Sequence, residues 1–152
     1  MKRLFLFYLL LTISGLTAKA QNFTFTEGNF IEKEVIPGEP TTAMSNIENH
    51  SDEVVVFKWE MITSENPFGW EFSIHDYTSL YTEGQTFGTM TSVIGGSDTA
   101  YLKVTVLAET PGTGTYRFVV WDQLLPEETD TITFVFNSLG TVGTTPLTPT
   151  AI

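Results

Sequence analysis

Residues 54–62 read Val54-Val55-Val56-Phe57-Lys58-Trp59-Glu60-Met61-Ile62. In extended chain successive side chains point to opposite sides, so Val55, Phe57, Trp59 and Met61 share one face and Val54, Val56, Lys58 and Glu60 the other. The Trp59 face is the core face. Just before this run, Glu48-Asn49-His50-Ser51-Asp52 are five polar, turn-prone residues that fit the tip of a hairpin with a strand at 41–47. Just after it, Asn66-Pro67-Phe68-Gly69 turns the chain, and Trp70, Phe72 and Ile74 resume the two-residue spacing with Glu71, Ser73 and His75 between them.

The same rhythm extends to both ends. Phe23 to Thr26 alternates, and a second extended stretch at 29–36 ends in Pro37-Gly38, which is turn chemistry. Residues 76–92 are rich in Thr, Tyr and Gly and read as a long connection with one short strand, before a Gly95-Gly96-Ser97-Asp98 turn. Tyr101 to Leu107 places Leu102, Val104 and Val106 inward, and Pro111-Gly112-Thr113-Gly114 forms the next corner. A strand at 116–121 follows, then a loop to Asp130, then a last strand with Ile132, Phe134 and Phe136 on one face. No run of ten or more residues keeps a helical apolar period.

Seven or eight short antiparallel strands in about 115 residues match the size and rhythm of an all-β, immunoglobulin-like β-sandwich. An inward Trp59, and Tyr116 two residues before the core position Phe118, suit the tryptophan and tyrosine-corner positions of that fold. The sequence has no cysteine, so packing of Trp59 on Phe118 must stand in for the usual disulfide.

The 152 residues are 41% hydrophobic, 13% aromatic and only 16% charged, enough for one packed core and too apolar for a disordered chain. Residues 1–20 stand apart. Lys2 and Arg3 precede the apolar run 4–13, which leads to Ala18-Lys19-Ala20, the pattern of a secretory signal peptide cut before Gln21. The apolar run is about half of the roughly 20 residues that a spanning helix needs, so no membrane insertion is expected after cleavage. The sandwich then occupies 21–137, and 138–152, built of Gly, Thr and Pro without pattern, reads as a linker-like or disordered tail. The expected location is secreted, periplasmic or cell surface. Loss of Lys2, Arg3 and Lys19 leaves four basic residues against 18 acidic ones, a net charge of −14. That excludes nucleic acid and anionic membrane as partners. The acidic residues are spread from Glu27 to Asp130 without a block, as on a solvated surface.

In order along the chain, Asn49-His50-Ser51, Lys58-Trp59, Phe68-Gly69-Trp70, Ile74-His75-Asp76 with Leu80-Tyr81, and Pro111-Gly112-Thr113-Gly114 form a recognisable series. Over roughly Met44 to Asn137 it resembles a family of small exported immunoglobulin-like proteins of bacteria that use type IX secretion. The resemblance implies the sandwich and export, and no activity. In the family pattern cysteines stand where this sequence has His75 and Leu80, and would close a short disulfide loop that this chain lacks. Members commonly continue into a C-terminal sorting domain, whereas this sequence ends at Ile152.

Chemistry-bearing residues are sparse. No Gly-x-Ser-x-Gly elbow and no Ser, His and Asp cluster in a recognisable context occurs, so no enzyme is expected. His50 and His75 with Met44, Met61 and Met90 are ligand types that suit copper, but no spacing joins them. Asp122 with Glu127, Glu128 and Asp130 offers carboxylates for calcium without a Gly-punctuated ligand loop, so no cofactor is expected. Asp98-Thr99-Ala100 and Asp130-Thr131-Ile132 resemble the short glycan-acceptor pattern of the same bacterial group, and Asn49-His50-Ser51 the eukaryotic one.

The outer face is more informative. With Tyr116, Phe118 and Val120 inward, alternation forces Val119 and Trp121 outward. The strands at 54–62, 116–121 and 132–136 lie side by side in such a sandwich, so Val54, Val56, Val119, Trp121 and Val135 are expected to cluster on one side. Either a partner covers such a patch, or the N-terminal segment or a loop does. The function expected is an exported, non-catalytic binding or adhesion module whose partner, a protein or a cell-surface glycan, meets the face around Trp121. A carbohydrate-binding module stacking sugars on Trp121, Tyr77 and Tyr81 is the alternative, and a periplasmic metal-binding protein the third.

Overall fold

The computed structural model describes residues 22–82, 84–91 and 100–139. The leader, the Gly95 to Asp98 turn and the tail beyond Leu139 lie outside the described residues. Ten strands occur among the described residues, and no helix: β1 (Phe23–Phe25), β2 (Phe30–Glu34), β3 (Pro40–Asn49), β4 (Val56–Glu65), β5 (Trp70–Asp76), β6 (Leu80–Tyr81), β7 (Phe87–Thr91), β8 (Ala100–Ala108), β9 (Gly112–Asp122) and β10 (Leu125–Ser138). They form two five-stranded sheets, ordered β1-β3-β8-β5-β6 and β2-β10-β9-β4-β7. Every pairing is antiparallel except that of β2 with β10. This is the immunoglobulin-like sandwich expected from the alternation, with β4 beside β9 and β9 beside β10.

Each central strand turns one face to the other sheet. In β8 burial alternates without a break from Ala100 to Ala108, and in β10 Ile132, Phe134 and Phe136 are buried while Thr131, Thr133 and Val135 are half-exposed. Trp59 and Phe118 meet in the middle, both inaccessible to solvent, with ring centroids 5.7 Å apart at 77°. Phe118 in turn meets Phe134 edge-on at 5.9 Å, and Tyr116 meets Phe136 at 5.9 Å. Such edge-to-face pairs contribute about 0.5–1.5 kcal/mol each beyond the area they bury. These pairs join neighbouring strands of the second sheet, so Trp59 on Phe118 does not replace an inter-sheet disulfide. With no cysteine, the two sheets are tied by Phe23 on Phe57 at 5.1 Å, Phe72 on Tyr116 at 4.9 Å and Tyr81 on Trp59 at 5.2 Å.

Three local expectations are corrected. Residues 48–52 are no hairpin tip, because β3 and β4 belong to different sheets; Glu48 and Asn49 finish β3, and the chain then crosses the sandwich. The step across is held by Asn49, whose Nδ2 donates to the Glu53 carbonyl at 2.7 Å while its Oδ1 accepts from the Ser51 main chain at 2.9 Å. The loop expected up to Asp130 is instead a tight hairpin, with Leu125 paired to Asp122 and an irregularity between Leu125 and Thr129. The Asp122 carboxylate, buried, accepts from the Leu124 N–H at 2.8 Å and so closes that turn without glycine. Tyr116, expected at a tyrosine corner, is tied, finally, to a side chain far off in the sequence. Its hydroxyl donates to Asn66 Oδ1 at 2.5 Å, locking the turn between β4 and β5 to β9.

Stretch 76–92, read as a connection with one short strand, supplies two. β6 closes the edge of the first sheet against β5, and β7 crosses to pair with β4 in the second.

Candidate functional site

The outer face of the second sheet is built row by row from its register. Trp121 on β9 faces Lys58 on β4, and Lys58 faces Thr89 on β7. One row on, Val119 faces Glu60, and Glu60 faces Phe87. Between these side chains lies an open cavity of about 370 Å³ lined by Lys58, Trp59, Glu60, Phe87, Gly88, Thr89 and Trp121. Phe87 is 65% exposed and Trp121 half-buried, so one aromatic ring stands at each side of a charged floor. Among the described residues the side chains of Lys58 and Glu60 make no hydrogen bond or ion pair.

Between the outward Phe87 and Thr89, Gly88 faces inward. A Cβ placed there would fall 2.5 Å from the Trp59 ring, so the β7 main chain lies directly on the indole with no room for a side chain. The indole is itself held from the core side. Its Nε1 donates to Asp76 Oδ2 at 2.8 Å, and Tyr81 meets it edge-on at 5.2 Å.

Asp76 is the polar residue that alternation alone did not reveal. It continues the inward series Trp70, Phe72, Ile74 and is fully buried. One oxygen accepts from Trp59 Nε1 and, at 3.0 Å, from the Tyr81 hydroxyl; the other accepts the Thr78 and Ser79 N–H groups at 2.8 Å each. A buried carboxylate persists because such donors replace its water. Burial raises the Tyr81 pKa above its ordinary value, and the Asp76 carboxylate pushes it the same way. The motif pieces Lys58-Trp59, His75-Asp76 and Leu80-Tyr81 thus converge on one hydrogen-bonded node.

The five residues expected to cluster are not one patch. Val56 lies diagonally across from Trp121, and Val119 is two residues along β9 from it, so these three do share a neighbourhood. Val135 faces Thr115 and Glu32, four residues along β10 from Thr131, the residue that faces Val119; that offset is about 13 Å. Val54 precedes β4 and lines a separate cavity of about 250 Å³ with Leu124 and Leu125. Alternation assigns a face, but register assigns neighbours, and here Thr, Arg and Glu intervene. The described part of the N-terminal segment does not cover the face, since β1 joins the first sheet and β2 lies at the far edge beyond β10.

The aromatic trio of the carbohydrate alternative is also separated. Tyr81 is committed to Asp76, and Tyr77 sits on the first sheet against Tyr101 at 5.9 Å. Phe87 takes their place beside Trp121; the weak pattern of 76–92 hid it.

The metal-ligand types do not meet. His50 Nε2 is 2.8 Å from Thr24 Oγ1, His75 packs on Tyr101, and Met90 is buried in the core. Asp130 accepts from Asn29 Nδ2 at 2.6 Å and from the Thr131 N–H at 2.7 Å. No group of three or more His, Cys, Asp or Glu side chains converges among the described residues. Of the glycan-acceptor triplets, Asn49 is buried, Asp130-Thr131-Ile132 lies within β10, and Asp98-Thr99 falls outside the described residues.

No family model and no curated protein matches the sequence. Solved structures do. The N-terminal domain of PorA superposes with a TM-score of 0.58 at 11% identity, over 72% of this chain and 86% of that one. The secreted serine protease VesC from Vibrio cholerae gives 0.50 at 6% identity over 89% of this chain, which spans 27% of that protein. A PapD-like domain of human CEP192 gives 0.46 at 14% identity, over 85% of this chain and 96% of that domain. At these identities the likeness to the PorA domain and VesC is one of fold.

Proposed function

We propose that this chain is an exported, non-catalytic immunoglobulin-like module that captures its partner, a protein or a cell-surface glycan, at the groove around Trp121. The observation that carries this reading is the pairing of exposed Phe87 with half-buried Trp121 across Lys58 and Glu60, over a cavity that no described segment fills. Large apolar side chains left at a groove, away from the core, mark interaction sites. Export rests on the leader pattern of 1–20, and absence of catalysis on the missing nucleophile and base motifs. Among the described residues no helix is long and apolar enough to cross a membrane. Kinship with the small exported proteins of type IX-secreting bacteria rests on the motif series, whose Trp59, Asp76 and Tyr81 form one structural unit.

Trp121→Asp tests the reading directly. The immobilised protein is offered envelope extract and whole cells of its own source, and the variant is expected to lose capture while its melting temperature stays unchanged. Equal capture by both proteins would remove the groove from consideration.

A further inference from the structure

We infer that the ligand of this groove is a neutral oligosaccharide, an inference that rests on the Trp121 groove being the binding site. Its two walls, Trp121 and Phe87, are aromatic, and the negative faces of aromatic rings attract the C–H groups of a pyranose. The floor between them offers the complementary half of sugar recognition. Lys58 supplies three N–H donors, Glu60 two acceptor oxygens and Thr89 a hydroxyl that does both, so neighbouring hydroxyls on one ring can be bound as donor and acceptor at once. The set suits a polyol better than a hydrocarbon or a simple ion.

Charge narrows the class. Lys58 and Glu60 cancel, leaving the groove neutral, while the chain as a whole carries −11. An anionic polymer would meet that field with no compensating cluster of cations. A protein hot spot fits poorly too, because interface centres are depleted in Lys and Glu, which here occupy the middle of the floor. The volume, about 370 Å³, suits a ligand of a few rings lying in an open trough.

The full chain is titrated with maltotetraose, cellotetraose, xylotetraose and mannotetraose by calorimetry and tryptophan fluorescence. Trp121 and Trp59 line the groove and Trp70 does not, so an emission change reports the groove. At least one sugar is expected to bind saturably with a Kd between about 10 μM and 1 mM. Trp121→Ala, Phe87→Ala and Lys58→Met should each weaken it about tenfold or more with the melting temperature unmoved. Silence of all four sugars, or binding that survives both aromatic substitutions, overturns the inference. If the sugars are silent while Trp121→Asp still abolishes capture of an envelope protein, the saccharide falls and the groove stands; if that substitution changes nothing, both fall.

Discussion

The indole of Trp59 lies directly beneath Gly88, so close that a methyl group on that glycine would stand 2.5 Å from three of its ring atoms. The ring has no way to retreat. Asp76 holds its nitrogen, Phe118 and Tyr81 hold its faces and edge, and none of it reaches solvent. Gly88→Ala is therefore expected to destabilise the protein by about 2 kcal/mol or more through overpacking. Urea denaturation of the variant measures this; a midpoint equal to that of the parent would mean that β7 lifts off freely.

Removing the Asp76 charge strands the donors that surround it. Asp76→Ala leaves the Trp59 N–H and the Tyr81 hydroxyl buried without acceptors and should cost about 3 kcal/mol, with Asp76→Asn intermediate. Tyr81 reports on the same node by its titration. Its phenol is held neutral by burial and by the carboxylate, so it ionises above the ordinary tyrosine range. The stability this contributes is complete below the unfolded tyrosine pKa and lost as pH rises through the raised folded value. Ultraviolet absorbance during alkaline titration should show late tyrosine ionisation whose amplitude falls in Tyr81→Phe.

His75 and Leu80 are register partners at the turn between β5 and β6. Asp76 N–H bonds the Ser79 carbonyl at 2.9 Å, which makes the next pair out one without mutual main-chain hydrogen bonds, with Cα atoms about 4.5 Å apart. That spacing accepts a disulfide. The double variant His75→Cys with Leu80→Cys should oxidise in air and raise stability by up to about 2 kcal/mol, the gain available from so short a loop. Free thiols persisting after oxidation, counted by a thiol reagent, would contradict the register.

Glu27 pins the turn after β1 to β3. Its carboxylate accepts from Thr26 Oγ1 at 2.6 Å, from the Asn46 N–H at 2.7 Å and from Asn46 Nδ2 at 2.7 Å. Burial pushes its pKa up, but these bonds together outweigh that and hold it below the ordinary value. A depressed carboxylate contributes stability that is present above its unfolded pKa and lost as pH falls through the folded one. Glu27→Gln should therefore lower stability at neutral pH, where the ionised carboxylate contributes, and leave it nearly unchanged at the acid end, so that the acid limb of the stability curve flattens, a difference that thermal melts between pH 3 and 7 resolve.

What the sequence alone determined is which residues point inward. The alternation in 54–62, 101–107, 116–121 and 132–136 is a local property of extended chain, and the core contains those residues: Phe57, Trp59, Leu102, Val104, Val106, Phe118, Phe134 and Phe136 are all inaccessible. What only the tertiary structure decided is who stands beside whom. Val135 misses Val119 by a register offset, Phe87 joins Trp121 through a strand that changes sheets, and Asp76 meets Trp59 and Tyr81 from three different strands. Register and sheet membership arise from turns and pairings between residues far apart in the chain, and a two-residue period, unchanged by a slip of two, fixes the face a residue takes but not its partner.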